Sequence, residues 1–384
     1  MYLVLPDGGQ LALMENEDAT QTVAQAGCNW TFGVEFLRGL SSLGTWQVMA
    51  RDALLGATGF ITDGTLEFFV AAASANDTYT FTNDFMTLRA PQPTRGTLTD
   101  TDGGTDWINL SAIAGNVVSS LAAGGQTQVG DGNDSVVGNA LVNHIMGGRG
   151  NDRLTGYDGD DTLTGGLGDD VLNGGLGHYT LNGGAGSDTA LFTGTANTRV
   201  DLNVAGRQNT GPGMDQLIGI EHATSGSGHD RLVGNTQASR LTAGAGNDVL
   251  IAGGGNDVLY GQAGNATMHG GTGNDVLTGG MGSDNMSGGD AIDRFVYTSG
   301  AEIGIGSTRD TVSDFTSGTD KLDFHGMDMT YRGTAAFTGA GNELRFLSSG
   351  TTGTLIGDMD GDMVLDFSLA LLGATSIPAG DLML

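Results

Sequence analysis

The chain has 384 residues, which is long enough for two or three domains. Glycine supplies 69 of them, and 44 acidic residues stand against 15 basic ones. The net charge of −29 argues against nucleic acid or an anionic membrane as a partner and favours cations as ligands.

The acidic residues are almost all aspartate, whose short carboxylate fits inside a tight turn. Their excess therefore indicates carboxylate chemistry in loops. Cys28 is the single cysteine, so no internal disulfide is predicted. The first residues lack a basic stretch followed by an apolar run, and no apolar run approaches 18 residues. We expect neither a cleaved signal peptide nor a membrane span.

Residues 1–96 form a small module that we expect to be rich in β-structure but whose type stays unknown. Pro6–Gly9 predicts a hairpin turn, and the segments TLEFFVAAA and TYTFT predict strands. The segments GVEFLRGL and TWQVMARDALLG fit short helices or strands equally well. The aromatic residues there are expected to pack in a core, although a surface that binds a glycan, a protein or another surface stays open.

Two arrays of nine-residue units follow a lead-in at residues 97–128. The first covers residues 129–191 in seven units, and the second covers residues 225–296 in eight units. Neither array slips by a residue. A fixed period of this length predicts a repeat architecture rather than an ordinary globular core.

Each position in the unit has its own physical role. The sixth residue is Asp in eleven of the fifteen units, and the exceptions are Asn143, Tyr179, Ser239 and Ala266. The eighth residue is apolar throughout, and glycines cluster at positions one, two and four, where a sharp turn needs a positive φ. Each unit therefore predicts a Gly-Asp loop followed by a short strand with one inward apolar residue.

Stacking is the way in which such units can form a core. Two units make one 18-residue circuit, called a coil below, of a right-handed parallel β-roll with a short parallel sheet on each side. Eighth-position side chains then meet between the sheets, and each contributes about 1.5–3 kcal/mol when fully buried. The predicted fold class is all-β. Loops 18 residues apart lie about 4.8 Å from one another, which stacks their carboxylates into columns that repel without a counter-ion.

Calcium is the counter-ion that fits these columns. It takes six to eight oxygen ligands in irregular geometry, whereas zinc would need His or Cys in phase and magnesium a strict octahedron. Backbone carbonyls at positions two and four and the carboxylate at position six are the predicted ligands, and about six or more ions are expected. The residues in the first array are Gly130, Gly132, Asp134, Gly148, Gly150, Asp152, Gly159, Asp161, Gly166, Gly168, Asp170, Gly184, Gly186 and Asp188. Those in the second array are Gly226, Gly228, Asp230, Gly244, Gly246, Asp248, Gly253, Gly255, Asp257, Gly271, Gly273, Asp275, Gly280, Gly282, Asp284, Gly289 and Asp293.

Some loops should bind calcium better than others. The pairs of loops that begin at 147 and 165, 165 and 183, 252 and 270, and 270 and 288 carry the complete motif, and 129/147 and 225/243 should also bind. Tyr179 and Ala266 lack a ligand oxygen of the right reach, so ions at their loops should be weak or absent.

The segments outside the arrays give weaker signals. Residues 192–224 predict a strand-pair insert around a Gly/Pro turn, and residues 297–384 predict a C-terminal β cap. The cap contains weaker metal candidates at Asp358, Asp360, Asp362 and Asp366, for which a solvated acidic turn is the alternative. Asp310, Asp314, Asp320 and Asp323 are expected to be structural parts of the cap.

The units match GGxGxDxUx, and the chain therefore resembles the repeats-in-toxin (RTX) calcium-binding proteins. The segments TDTDGGTDWINLSAIAG, TRDTVSDFTSGTDKLDF and residues 357–384 resemble the β-roll and C-terminal region of serralysin-type proteases. That resemblance implies an extracellular protein, exported without cleavage through a type I secretion channel that reads the C-terminal region.

The resemblance does not extend to a protease. The sequence contains neither the H-E-x-x-H zinc motif nor the G-x-S-x-G elbow of serine hydrolases. A non-catalytic binding, adhesive or structural exoprotein that folds on meeting calcium is the favoured function. The alternatives are a polysaccharide-active or other secreted enzyme with an unrecognised site, and a serralysin-like remnant without its catalytic domain.

Overall fold

The computed structural model describes residues 126–211 and 213–384, together with six short strands nearer the N-terminus. It divides into two compact units, Met1–Asp170 and Val171–Leu384, which are described separately. The predictions for Cys28 and for the aromatic residues Trp30, Trp46 and Phe60 lie outside the described residues. Within the described part of the chain, no helix is long and apolar enough to cross a membrane.

The N-terminal strands fall into two groups. Strands β1 (Tyr2–Val4), β2 (Gln10–Ala12) and β3 (Gln47–Met49) form an antiparallel sheet in the order β2-β1-β3. β1 and β2 lie on either side of the predicted turn, and β3 lies in a segment for which helix and strand were both open. Strands β4 (Thr78–Thr82), β5 (Trp107–Ala112) and β6 (Val118–Ser120) instead pair in parallel with later strands or with each other.

The rest of the first unit is a parallel ladder. Its strands are β7 (Gln126–Gln128), β8 (Ser135–Val137), β9 (His144–Arg149), β10 (Arg153–Thr155) and β11 (Thr162–Leu167). One sheet runs β11-β9-β7-β5-β4 and the other β10-β8-β6. Leu154 lies opposite Val136, and Leu163 lies opposite Ile145. Partners are thus 18 residues apart, which is the predicted length of one coil.

The second unit continues with the same type of ladder. Its strands before the cap are β12 (Val171–Asn173), β13 (Thr180–Ala185), β14 (Thr189–Leu191), β15 (Arg199–Asp201), β16 (Gln208–Asn209), β17 (Met214–Ile218), β18 (His222–Thr224), β19 (Arg231–Val233), β20 (Arg240–Thr242), β21 (Val249–Gly254), β22 (Val258–Ala263), β23 (Thr267–Thr272), β24 (Val276–Met281), β25 (Asn285–Asp290) and β26 (Arg294–Val296). All of their mutual pairings are parallel except β16 with β17.

The C-terminal cap closes both sheets of the second unit. Its elements are the helical turn Gly300–Ile303, the 3-10 turns Gly306–Thr308 and Ala379–Asp381, and strands β27 (Thr311–Val312), β28 (Lys321–Asp323), β29 (Thr330–Tyr331), β30 (Glu343–Ser349), β31 (Thr352–Asp358), β32 (Phe367–Leu372) and β33 (Leu382–Met383). β27 and β28 extend the parallel ladders from β25 and β26, whereas β30, β31 and β32 form an antiparallel meander. The nearly all-β architecture with long parallel sheets confirms the predicted β-roll.

The core of the roll is a stack of eighth-position side chains. All fifteen have 0% of their surface exposed. They are Val136, Ile145, Leu154, Leu163, Leu172, Leu181 and Ala190 in the first array, and Leu232, Leu241, Leu250, Leu259, Met268, Leu277, Met286 and Phe295 in the second. The flanking residues at positions seven and nine are half-buried or exposed, because successive side chains of a strand point to opposite faces.

Residues 192–224 take part in the roll instead of leaving it. Within this segment β15 pairs with β19, whereas β17 pairs with β13, so the two predicted strands lie in different sheets. A short antiparallel contact between β16 and β17 surrounds the Gly/Pro turn. Val200 and Leu217 point into the core with 2% and 6% exposure, as eighth-position residues do.

The loop glycines have no room for a side chain. Gly271 has a φ of 117°, and a Cβ there would collide with the carbonyl oxygen of Gly253 in the preceding coil. We expect Gly271→Ala to lower the free energy of unfolding by more than about 1 kcal/mol, because both the backbone conformation and the stacking oppose it. Thermal melts in calcium measure the effect. Gly206→Ala is the control, since no atom lies within 4 Å of its added Cβ, and equal losses in both variants would contradict the prediction.

Candidate metal centre

One oxygen of most position-six carboxylates joins neighbouring coils. The Oδ1 atom of Asp275 accepts a hydrogen bond from the backbone N–H of Asp257 at 2.8 Å, and Oδ1 of Asp293 accepts one from Asp275 at 2.9 Å. In the first unit, Asp152 accepts from Asp134 and Asp170 accepts from Asp152, both at 2.8 Å. The carboxylates therefore form a ladder in which each holds the backbone of the coil before it.

The second oxygen of many of these carboxylates accepts no hydrogen bond. Among the described residues, Oδ2 is buried and accepts no hydrogen bond in nine aspartates, namely Asp152, Asp161, Asp230, Asp248, Asp257, Asp275, Asp284, Asp293 and Asp310. These residues are at most 2% exposed. A buried charged oxygen without a partner is strongly unfavourable, so a regular series of them indicates a binding site for positive ligands.

Because the glycine at position one has no side chain, a space is left next to the second carboxylate oxygen. A Cβ on Gly270 would collide with Oδ2 of Asp275 and lie 2.6 Å from the carbonyl oxygen of Gly288 in the next coil. In the first unit, Gly147 has the same relation to Asp152 and to the carbonyl of Gly165. The backbone carbonyls at positions two and four lie against the glycines at the same positions of the following coil. The carbonyl oxygen of Gly253, for example, lies against Gly271. Carboxylate and carbonyl oxygens therefore converge between coils.

Burial raises the pKa of these carboxylates and so makes them weaker acids. Removal from water raises the pKa of Asp152, Asp161, Asp257 and Asp284 to about 6 and that of Asp293 to about 7, against an ordinary value of 3.8. The backbone hydrogen bond to Oδ1 opposes this increase but does not cancel it. The carboxylates are thus poorly stabilised as bare anions in the folded protein.

This donor set fits calcium. It consists of oxygens alone, from carboxylates and backbone carbonyls in flexible Gly-rich loops, which is the set that a hard cation with many ligands prefers. All eleven position-six aspartates of the prediction are buried at the loop ends, and the predicted glycines lie in the stacked loops. The position-one carbonyls, such as those of Gly165 and Gly288, also border the carboxylates, although only positions two and four were predicted to contribute.

Two cap residues extend the ladder beyond the repeats. Oδ1 of Asp310 accepts the backbone N–H of Asp284 at 2.8 Å, and Oδ1 of Asp320 accepts that of Asp293 at 3.1 Å. Burial raises the pKa of Asp310 to about 8. Val312 and Leu322, two residues further along, are fully buried as eighth-position residues are. Asp310 and Asp320 therefore behave as sixth-position residues, a role that the sequence interpretation did not assign to them.

One coil satisfies its carboxylate without an ion. Asp215 takes the sixth-position role next to Tyr179, since its Oδ1 accepts the Tyr179 backbone N–H at 3.0 Å. Its Oδ2 accepts a very short hydrogen bond from the Thr210 hydroxyl, and the Tyr179 hydroxyl lies 3.5 Å from that same hydroxyl. Thr210 and Asp215 are fully buried. This hydrogen-bonded group gives a physical reason for the expected weak or absent ion at the Tyr179 loop.

We expect Thr210→Val to destabilise the folded protein by about 1–3 kcal/mol, because it leaves the buried Asp215 oxygen without its donor. The loss should be the same at all calcium concentrations that keep the protein folded. Thermal melts over a calcium series measure it. Thr242→Val is the matched control, because Thr242 is only half-buried on an outward sheet face. A loss that disappears as calcium is increased would show that the group binds an ion after all.

The acidic loop of the cap is organised by its own backbone. Carboxylate oxygens of Asp358, Asp360 and Asp366 lie within 4.8 Å of one another, whereas Asp362 is not part of that group. Both oxygens of Asp358 accept backbone N–H groups, from Gly361 at 2.8 Å and from Met363 at 3.0 Å. The weaker metal candidates stay a prediction, because the ordered turn accounts for this arrangement.

A serine and a histidine that meet in the second unit are not arranged as nucleophile and base. Ser187 Oγ lies 2.7 Å from His222 Nε2, while His222 Nδ1 accepts the backbone N–H of Arg240 at 2.9 Å. The neutral ring therefore carries its proton on Nε2 and donates it to the serine oxygen. His178 and His229 likewise accept backbone N–H groups through Nδ1, so these histidines join neighbouring loops.

Two family comparisons match the chain. Residues 178–384 match the family described as Peptidase M10 serralysin C terminal, which is more than half of the chain. Residues 128–157, 137–172, 146–181 and 155–190 match four copies of the RTX calcium-binding nonapeptide repeat. These matches confirm the predicted resemblance, and neither is to a protease domain. No curated protein matches the chain.

Solved structures similar to the chain include two bacterial proteins. The solution structure of the AlgE6R2 subunit of the Azotobacter vinelandii mannuronan C5-epimerase is 24% identical, covers 40% of this chain and 91% of its own, and has a TM-score of 0.25. The crystal structure of the extracellular lipase LipA from Serratia marcescens is 18% identical, covers 74% of this chain and 45% of its own, and has a TM-score of 0.17.

Proposed function

Because the chain belongs to the serralysin C-terminal family of peptidase M10 proteins and carries RTX calcium-binding repeats, we propose that it is an exported protein whose β-roll folds when it meets calcium outside the cell. The proposed route is a type I secretion channel that reads the C-terminal region. The proposed role is a non-catalytic binding, adhesive or structural one, with residues 1–96 as a separate module before the roll.

The observation that carries this proposal is the ladder of half-satisfied carboxylates. Among the described residues, eight repeat aspartates, such as Asp275 and Asp293, hold the preceding coil through Oδ1, while their buried Oδ2 accepts no hydrogen bond. Without a cation, closing the ladder buries a column of anions at the spacing of the strands. The apolar gain from the eighth-position residues must then oppose that electrostatic penalty.

Bound calcium supplies the positive charge and the oxygen-rich coordination that this column needs. The protein contributes Oδ2 of position six together with carbonyls from stacked loops, as at Asp275 and Gly288. The proposed ligand residues are the position-two and position-four glycines and the predicted position-six aspartates, together with Asp310 of the cap, whose Oδ2 is also buried without a hydrogen bond. Asp320 is not among them, because its Oδ2 accepts the Thr316 N–H at 2.7 Å. Since a ligand that binds only the folded state stabilises that state, folding follows the calcium concentration.

A calcium titration of the full chain tests the proposal. Far-ultraviolet circular dichroism should show little parallel β-structure in chelator and a cooperative gain as calcium rises into the millimolar range typical of extracellular sites, about 10⁻⁴–10⁻³ M. Magnesium at equal ionic strength is the control and should not reproduce the gain. A β signal that is equal in chelator and in calcium would contradict the proposal.

A further inference from the structure

Acidic and basic residues occupy different parts of the roll. Its carboxylates lie in the loops, whereas six basic residues occupy position seven of the strands: Arg153, Arg199, Arg231, Arg240, Arg294 and Lys321. Position seven lies next to the buried eighth residue and therefore points away from the core. The outward sheet faces are thus much less acidic than the net charge of −29 implies.

Two of these arginines lie side by side. Arg199 of β15 and Arg231 of β19 are partners in the parallel register, and both are exposed. Like charges on adjacent strands at this position destabilise a sheet. Among the described residues, no carboxylate lies within ion-pair distance of either one, although Arg294, Lys321 and Arg332 each have an acidic partner.

The neighbouring surface includes a strip of aliphatic side chains. We call the outward side of β15, β19, β21 and β23 the arginine face. Next to Arg231 it presents Val233, Val249 and Ile251, all half-buried, in the parallel register of β19 and β21. Asp201 is the one acid among the eight residues at positions seven and nine of these strands, and its Oδ1 already accepts the N–H and Nδ2 of Asn203.

We propose that the arginine face binds an acidic polysaccharide whose chain runs along the coil axis. The Cα atoms of the two arginines are one strand spacing apart, about 4.8 Å, so their side chains present adjacent positive charges along the coil axis. Their long side chains can reach different uronate carboxylates of one chain, in the planar geometry that arginine favours. The valine and isoleucine side chains pack against the C–H faces of the sugar rings.

This choice of ligand follows from both parts of the face. A free inorganic anion would use the arginines but not the apolar strip, and a neutral glycan would leave the two positive charges unbalanced. The inference rests on the proposed function in one respect. The face exists only when the roll is folded, so binding needs calcium, and calcium also neutralises the carboxylates at the loops.

Fluorescently labelled oligogalacturonates, short enough not to gel with calcium, test the inference in a binding titration with the full chain in calcium. The uronate oligomer should bind, malto-oligosaccharide of equal length and inorganic sulfate should not compete, and added salt should weaken binding. The double variant Arg199→Gln with Arg231→Gln should lose about 100-fold in affinity, since each of its two charged contacts contributes about 1.4 kcal/mol, which is tenfold. The Arg199→Lys/Arg231→Lys variant should recover part of it.

Arg153→Gln is the matched control, because Arg153 also occupies position seven but lies beside Ser135 in the register. It should bind as the parent does. Circular dichroism of every sample in calcium separates loss of the fold from loss of the site. A folded protein that does not bind the oligomer, or a double glutamine variant that binds within twofold of the parent, would overturn the inference. Absence of a calcium response would instead contradict the proposed function.

Discussion

Asp275→Asn is expected to make the protein less stable in calcium and more stable in chelator. The amide oxygen still accepts the Asp257 N–H, but the negative charge beside the Gly288 carbonyl is lost. Removing one partner of a buried charged contact destabilises by about 3 kcal/mol, so the melting temperature in calcium should fall by several degrees. In chelator the variant replaces an unpaired buried carboxylate with an amide that can donate to that carbonyl.

The measurements are a thermal melt in saturating calcium and the far-ultraviolet circular dichroism signal in chelator, for the parent and the variant. Asp290→Asn provides the control, since Asp290 lies exposed in the next loop at position three and should change neither measurement appreciably. Destabilisation of Asp275→Asn under both conditions would mean that its carboxylate has a structural role that does not depend on a cation.

The second expected result is that acid replaces calcium in part. Burial raises the pKa of Asp152 and Asp257 to about 6 and that of Asp293 to about 7, above the ordinary 3.8. A raised folded-state pKa means that the folded form binds more protons than the unfolded chain between these values. The stability of the calcium-free fold therefore falls as the pH rises from about 4 towards 7 and increases as the pH is lowered through this window.

This pH dependence of the stability can be tested by two titrations. In chelator, far-ultraviolet circular dichroism should gain β-structure as the pH is lowered from about 8 to about 5, because protonation removes the repulsion between carboxylates. In saturating calcium the β signal should stay nearly constant over the same change, because the bound cation takes the place of those protons. A signal in chelator that does not depend on pH would contradict the raised pKa values of these buried carboxylates.

The parts of the fold that the sequence predicts are those with a regular period. Asp257, Asp275 and Asp293 are 18 residues apart, so their column follows directly from counting, and the adjoining eighth-position residues follow with it. Asp310 and Asp320 continue the ladder at separations of 26 and 27 residues. Their loops keep the terminal Asp and the buried residue two positions later but lose most of the glycines, so counting by nine does not find them.

The arrangement around Tyr179 is unpredictable for a different reason. From the sequence, Tyr179 shows only that the carboxylate at position six is replaced by a side chain that is a poor calcium ligand. The group that replaces the ion comes from Thr210 and Asp215, which lie 31 and 36 residues further along the chain. The pairing of β13 with β17 across that gap brings them together. A local pattern contains no information about such a contact, because the intervening segment has no fixed length.

The ladder across Asp284 and Asp310 has a practical consequence for protein engineering. A coil there contains 26 residues instead of 18, yet the strands remain in register and the core side chains remain stacked. The additional residues lie between one strand and the next and include the helical turn Gly300–Ile303, whose Ile303 side chain is fully buried. Insertions of this length between strands can therefore be accommodated without shifting the strands that follow, which makes the roll a scaffold for displaying epitopes or enzymes at fixed intervals.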